Sequence, residues 1–335
     1  MKILIVKLSS LGDVVHAMPA VQDILAAVPD AQVDWVVERG FAPLVARCRG
    51  VHRVVPCELR RWRREPLSAD TRAAWRAFRA DLRQEAYDAV IDLQGLAKSA
   101  LVARLARLAP GGRRFAMANR TEGSSYEAPT RWVADVAIPL APRVHAVQRS
   151  RLLCAAALGY EVPAVLRQGL AGSGDGAVVD PRPCVAFVHG TSRDDKCWPE
   201  PHWIELGRRL LAAGFTLGLP QGGPTERERA ERLAAALGPL CEVWASMALD
   251  ALTERLARCA GVIGVDSGLS HIAVALDLPH VQIYNFDTDW RTGPQGAAHQ
   301  CSVRGDPTPT VDAVWSAWQA VQAAAGDSPR TGASS

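Results

Sequence analysis

The chain has no long apolar run, no paired cysteines and little net charge. None of its 335 residues lies in an uninterrupted apolar stretch of the roughly 18 residues that a membrane-spanning helix needs. Lys7 interrupts the opening apolar run after only a few residues, so no secretory signal is expected and the protein is placed in the cytoplasm. The eight cysteines, at 48, 57, 154, 184, 197, 241, 259 and 301, include no Cys-x-x-Cys pair. Reduced thiols are expected rather than a disulfide or zinc framework. No His-x-x-x-His and no clustered His/Cys/Asp spacing occurs, and Asp194-Asp195 alone is a poor metal signature, so no metal is expected. Gly-x-Ser-x-Gly is absent, which leaves Ser-His-Asp hydrolysis unsupported. A net charge of +3 gives no reason to expect nucleic acid. The glycine-bearing turn after the first apolar run, Lys7-Leu-Ser-Ser-Leu-Gly-Asp-Val-Val-His16, has neither the lysine-serine/threonine ending of a P-loop nor the three glycines of a dinucleotide fingerprint.

What is present is alternation. Short apolar runs at 2–7, 32–37, 53–55, 88–92, 134–138, 184–189, 215–219, 241–244, 261–265 and 280–284 predict strands. Amphipathic segments at 71–85, 96–108, 145–158, 201–213, 225–237 and 248–259 predict helices between them. This order implies an α/β chain of parallel, doubly wound sheets covered by helices. Its length is comfortable for two domains. A glycine-rich stretch from Gln168, followed by Asp180-Pro-Arg-Pro183, predicts a linker over 168–183 between domains at 1–167 and 184–322. The Ala, Gly, Ser and Pro tail at 323–335 is expected to be disordered. Pro19 predicts a short turn over 13–18 with the main helix restarting at the proline. Gly214 and Gly261 are assigned to left-handed helix ends.

Asp13 stands at the C-terminal end of the first strand, the edge that faces the ligand crevice in an open α/β sheet. It is either a helix cap or a general base kept ionised by the helix N-terminus. His16 is its neighbour three residues on. In Val265-Asp-Ser-Gly-Leu-Ser-His271, Ser267 and Gly268 open a helix whose free N–H groups suit phosphate oxygens, and His271 adds a donor. His189-Gly-Thr-Ser-Arg-Asp-Asp-Lys196 is a second strand end in the same half. Thr191, Ser192 and Lys196 there suit a diphosphate. Arg60-Arg-Trp-Arg-Arg64 is expected in a loop. Four arginines around a tryptophan suit a polyanionic ligand or an anionic membrane surface, with Lys98 and Arg120 extending the patch. Thr225-Glu-Arg-Glu228 has capping-box spacing, which makes Thr225 the N-cap, Glu228 its partner and Glu226 free of capping.

Several of these segments, in order from residue 1 to about 320, closely resemble lipopolysaccharide heptosyltransferases of type I: residues 1–16, Asp34-Trp-Val-Val-Glu38, Arg60-Arg-Trp-Arg63, Tyr87-Asp-Ala-Val-Ile-Asp-Leu-Gln-Gly95, Thr191–Lys196 with Trp198-Pro-Glu200, and Asp266–His271. The resemblance implies a GT-B fold, two Rossmann-like domains facing a central cleft. It implies an inverting transferase that moves L-glycero-D-manno-heptose from ADP-L-glycero-β-D-manno-heptose to the first Kdo of Kdo2-lipid A. The implied roles are base for Asp13, with Lys196 on the leaving diphosphate. Donor contacts fall on Thr191, Ser192, Lys196, Glu226, Met247, Asp266, Ser267, Gly268 and His271. Acceptor contacts fall on Arg60, Arg61, Arg63, Arg64, Lys98 and Arg120. No cofactor is implied, and the enzyme is expected at the cytoplasmic face of an anionic inner membrane. Type II transfer to a heptose acceptor, a nucleotide-sugar epimerase and an idle nucleotide-sugar-binding module are the alternatives. Two segments depart from the family pattern: Gln221-Gly-Gly-Pro224 replaces Trp-Gly-Ala-Glu, and Asn285–Trp290 replaces Gly-Pro-Thr-Asp-Pro.

Overall fold

A computed structural model describes residues 1–172 and 182–327. The chain divides into two compact units, Met1–Ala171 and Gly172–Ser335. The first runs β1 (Lys2–Val6), α1 (Leu11–Ala27), β2 (Gln32–Glu38), α2 (Ala42–Val45), β3 (Val51–Cys57), α3 (Leu59–Arg64), α4 (Ala69–Leu82), β4 (Ala86–Asp92), α5 (Ala97–Leu105), β5 (Arg107–Met117), α6 (Pro129–Val133), β6 (Val136–Ile138) and α7 (Ala146–Leu158). The second runs β7 (Cys184–Val188), α8 (Glu200–Ala212), β8 (Thr216–Leu219), α9 (Pro224–Leu237), β9 (Cys241–Val243), α10 (Leu249–Ala257), β10 (Gly261–Val265), α11 (Gly268–Ala275), β11 (His280–Tyr284), α12 (Asp289–Thr292), β12 (Gln300–Arg304) and α13 (Val311–Asp327).

Each unit holds one six-stranded sheet, ordered β3-β2-β1-β4-β5-β6 and β12-β11-β10-β7-β8-β9. Every pairing within them is parallel. The order reverses beside β1 and beside β7, the doubly wound pattern in which ligands bind at the strands' C-terminal ends. The central strands are continuous apolar runs because helices cover both faces. Ile3, Leu4, Ile5 and Val6 are wholly buried, as are Val262, Ile263 and Val265.

All ten expected strands form; the two missed are β5 and β12. β5 contains Pro110-Gly-Gly112, ordinarily a breaker, and the ladder with β4 shifts register there, from Tyr87↔Leu108 to Ala89↔Arg113. β12 is a polar edge strand with no apolar run to mark it. Pro19 does not divide the first helix: α1 is continuous over 17 residues. The proline removes one backbone hydrogen bond. The buried face of Val14, Val15, Ala17, Met18, Val21 and Ile24 holds the helix together across it. Arg60–Arg64 lie in a helix, α3, rather than a loop, because Trp62 is buried against the Trp75 and Phe78 rings, each 5.4 Å away between centroids.

The first part of the expected linker is held by the first unit. Leu170 is buried and forms an antiparallel bridge with Cys48, and Ala171 N–H donates to Arg47 O at 3.0 Å. The rest of the linker expectation, over 173–181, lies outside the described residues. α13 continues to Asp327, so 323–327 are helical where a tail was expected; 328–335 lie outside the described residues. All eight cysteines are free thiols.

Gly214 closes α8 in the left-handed region (φ +92°), as expected. Gly261 does not end a helix. It opens β10, where a Cβ would lie 2.6 Å from the Trp318 ring and 2.7 Å from Pro279 O. Trp318 comes from α13, so this glycine is the seat on which the last helix packs. Gly261→Ala is expected to cost about 1–3 kcal/mol, the usual price of overpacking. Urea unfolding at neutral pH measures it, and an unchanged midpoint would refute the close approach.

Candidate active site

In the first unit, parallel connection brings the expected residues to one sheet edge. Asp13 follows β1, the arginines follow β3, Lys98 follows β4 and Arg120 follows β5. Asp13 is the third residue of α1. Its Oδ2 accepts from Ser10 N at 3.3 Å and Ser10 Oγ at 2.9 Å, so it does cap the helix. Its Oδ1 lies 3.5 Å from Lys7 Nζ and 3.5 Å from the Arg149 guanidinium. Burial alone would raise this carboxyl. Lys7, Arg149 and the Ser10 bond outweigh it and hold the group well below the usual carboxylate range. The side chain remains 35% exposed. His16 is buried with its ring edge-on to His145, 6.2 Å between centroids.

Lys7 is itself buried, and its ammonium donates to Leu93 O at 3.1 Å. Burial lowers its affinity for a proton; Asp13 offsets part of that. Lys7 and Arg149 were missed as site residues. A lysine closing an apolar strand is a legible signal. Arg149, 136 residues from Asp13, has no local one.

The segment after β4 grips this loop. Gln94 Oε1 accepts from Leu8 N and Ser9 N, both at 3.1 Å, and Lys98 Nζ donates to Ser9 Oγ at 3.1 Å. Asp92, buried at the end of β4, accepts from Gln94 N (2.9 Å), Gly95 N (3.1 Å) and Ser99 Oγ (2.9 Å). Burial still dominates and pushes its carboxyl up to about 6. The arginines stand further along the edge. Arg60 N–H donates to Glu38 Oε1 at 3.4 Å, and burial raises the Glu38 carboxyl. Arg61 lies 3.4 Å from Glu58, Arg63 and Arg64 are exposed, and Arg120 Nε donates to Ser124 O at 3.3 Å.

In the second unit, four further strand ends carry the expected donor residues: Thr191, Ser192 and Lys196 after β7, Glu226 after β8, Met247 after β9, and Asp266, Ser267, Gly268 and His271 after β10. Asp266 is the hub. Its Oδ2 accepts from Lys196 Nζ at 2.6 Å. Its Oδ1 lies 3.4 Å from His271 Nε2 and accepts from Thr292 Oγ1 at 3.3 Å. Its backbone oxygen accepts from Thr191 Oγ1 at 3.0 Å. Burial would raise the Asp266 carboxyl, but His271 and Lys196 hold it well below the usual range. Ser267 is the N-cap of α11, with Gly268 its first residue, so the helix offers free N–H groups beside the Lys196 ammonium. Ser192 is exposed and Met247 half-buried, and neither is drawn into the Asp266 cluster. Among the described residues no group of three His, Cys, Asp or Glu could hold a metal ion.

Residues 75–314 match the model of glycosyltransferase family 9 (heptosyltransferase). The chain is 41% identical over 294 residues to lipopolysaccharide heptosyltransferase 1 of Escherichia coli K12, covering 85% of this chain and 88% of that one. The chain belongs to glycosyltransferase family 9. It is therefore a glycosyltransferase enzyme with the two Rossmann-like sheets of the GT-B fold. The solved E. coli heptosyltransferase WaaC with ADP matches with a TM-score of 0.84 and 38% identity, over 94% of this chain and 98% of that one. The same enzyme with ADP-2-deoxy-2-fluoro heptose matches at 0.78 and 37%, with the same coverage.

The two departures from the family pattern have definite places in this heptosyltransferase. α9 starts at Pro224 with Gly223 as N-cap, so the expected capping box of Thr225 and Glu228 does not form. Proline suits the first helical position because its missing N–H would be unpaired there anyway. Glu226 becomes the third residue and caps after all: its Oε2 accepts from Gly222 N at 2.7 Å, and its carboxylate packs on Gly190, where no Cβ intervenes. In the second departure, Asn285 Nδ2 donates to Asp195 O (2.9 Å) and Cys197 O (3.0 Å), while its Oδ1 accepts from Thr308 Oγ1 at 2.8 Å. Asn285 thus pins the turn that carries Lys196. The sequence singled out Asn285 only as part of a departure from the family pattern, and Thr292 not at all.

Asp92→Asn tests the first-unit geometry. The Asp92 carboxyl is neutral more readily in the folded than in the unfolded chain, so its ionisation opposes folding. The stability it withholds is absent at pH 4 and grows as pH rises through about 6. The amide can keep accepting from the two backbone N–H groups. The variant is expected to gain about 1–3 kcal/mol over wild type at pH 8 and little at pH 4. Denaturant midpoints at both pH values check this; a loss at pH 8 would show the ionised form to be the stabilising one.

Proposed function

We propose that this heptosyltransferase transfers L-glycero-D-manno-heptose from ADP-L-glycero-β-D-manno-heptose to the first Kdo of Kdo2-lipid A, with inversion, at the cytoplasmic face of the inner membrane. The observation that carries this reading is the carboxylate of Asp13, kept ionised by Lys7 and Arg149 yet partly open to solvent. The similarity to a lipopolysaccharide heptosyltransferase 1, and to WaaC bound to ADP and to an ADP-heptose analogue, supports the choice of sugar and nucleotide.

In this mechanism a Kdo hydroxyl donates its proton to Asp13 as its oxygen attacks the anomeric carbon. The bond from that carbon to the diphosphate oxygen breaks on the opposite face, so the β donor gives an α product, and ADP leaves with the electron pair. Asp13 is a weak base, and so the proton moves late, once the hydroxyl has become acidic in the transition state. The charge on ADP is met by the N–H groups that open α11 and by Lys196. That ammonium gives one donor to Asp266 and has others left for phosphate oxygens. Ser192 and Met247 complete the donor contacts. Arg60, Arg61, Arg63, Arg64, Lys98 and Arg120 meet the acceptor's phosphates and carboxylates. No cofactor is consumed.

Incubation with both substrates is expected to yield ADP and a lipid heavier by one heptose, with an α linkage by NMR. Transfer only to an acceptor that already carries heptose would move the assignment to type II. An altered nucleotide sugar with no lipid product would make the protein an epimerase. Asp13→Asn keeps the cap but removes the base. Turnover should fall by about 100-fold or more with ADP affinity unchanged, and near wild-type turnover would exclude Asp13 as base.

Glu226 separates capping from recognition. Glu226→Gln can still accept from Gly222 N. If the carboxylate also accepts from the donor ribose, calorimetry should show ADP binding weakened by roughly 1 kcal/mol or more. Equal ADP affinities with a lower melting temperature would leave Glu226 a helix-start residue.

A further inference from the structure

One face of the first sheet carries more charge than the proposed reaction uses. α3, α4 and α5 share that face, since Trp62, Phe78, Leu82, Val102 and Ala103 enter one core with β1–β4. α6 packs against α5. Residues 59–83 hold eight arginines against three acids, in a chain whose net charge is only +3. Four of these arginines are on α3. The others, Arg72, Arg76, Arg79 and Arg83, follow the i, i+4, i+7, i+11 spacing of a single helical row, and all four are exposed. At about 100° per residue, the acids of α4, Asp70 and Asp81, fall roughly 160–180° from Arg72, on the opposite flank. Asp81 is engaged there with Arg53 at 2.9 Å. Among the described residues, Arg72, Arg76 and Arg79 form no ion pair.

The arginine row faces α5, because Arg83 donates to Leu105 O at 3.1 Å, at that helix's end. α5 presents Leu101, 47% exposed, and α6 presents Trp132, 71% exposed, beside exposed Arg131. The acids nearest these helices are occupied: Glu127 accepts from Ala97 N at 2.6 Å and Asp135 from Arg114 N at 2.7 Å. Guanidinium groups in a row beside an exposed indole and leucine match the chemistry of a bilayer interface. There lipid phosphates take the cations, and the rings sit at headgroup depth.

We propose that this face docks on an anionic bilayer, with the α4 arginine row on lipid phosphates and Trp132 and Leu101 at the headgroup boundary. The proposal deepens the function above and rests on a lipid-borne acceptor for its purpose. Docking by this face sets the α3 arginines beside the surface from which the acceptor sugar projects.

The test is co-sedimentation of the full chain with phosphatidylglycerol-containing vesicles and with pure phosphatidylcholine vesicles, at low and high salt. Wild type should bind the anionic vesicles and release in salt. R72Q/R76Q/R79Q should bind them about 100-fold more weakly. L101S/W132S should weaken binding while keeping its salt dependence. Both variants should retain wild-type turnover on a water-soluble, deacylated acceptor, which shows that they fold. Failure of wild type to sediment, or sedimentation of the arginine variant like wild type, overturns the proposal. So does tighter, arginine-dependent binding to duplex DNA. Vesicle binding as described with no turnover of any Kdo acceptor would leave the docking surface standing and remove the proposed function instead.

Discussion

The first unit's sheet edge depends on a buried ammonium. Lys7 ends an apolar strand in a position with almost no access to water. A charge there is tolerable only with partners on several sides. Leu93 O and Asp13 supply them. The loop from Leu8 to Ser10 is then held by Gln94 and Lys98, and α1 starts where Asp13 can both cap it and face the ammonium. The geometry of the carboxylate is thus a by-product of neutralising Lys7. Arg149, arriving from α7, adds a second cation on the same carboxylate oxygen as Lys7.

The second unit inverts this arrangement. Its fixed point is a buried anion, Asp266, and what it orients are Lys196, His271 and two threonines. One sheet edge therefore presents a carboxylate backed by cations, and the other presents a cation backed by a carboxylate. A proton acceptor and a diphosphate acceptor are the two groups a glycosyl transfer from a nucleotide sugar requires. Under the proposed mechanism Asp13 takes the first role and Lys196 the second, each beside the central strands of its own sheet.

Most of the strands were legible because central parallel strands are plain apolar runs. β5 was not, since its Pro-Gly-Gly is accommodated by a register shift that only the neighbouring strand reveals. The strand-end residues Asp13 and Lys196 stood out through position, because parallel sheets gather their C-terminal ends, whereas Asp266 was singled out only by the family resemblance. Two of their partners, Arg149 on Asp13 and Thr292 on Asp266, were not, being brought in from other elements. Helix starts were misjudged where a short-range pattern competed with proline. Thr225 and Glu228 have the right spacing for a cap, yet Pro224 claims the first position and shifts the frame by two residues.

α3 has only six residues, far fewer than a helix needs to persist alone in water, and four of them are arginines that repel one another. Its order comes from Trp62, whose indole is wedged between Trp75 and Phe78. The segment is therefore fragile in an unusual way. Its charged residues can be exchanged one at a time with graded effect, whereas loss of the single indole removes the anchor of all four guanidinium groups together.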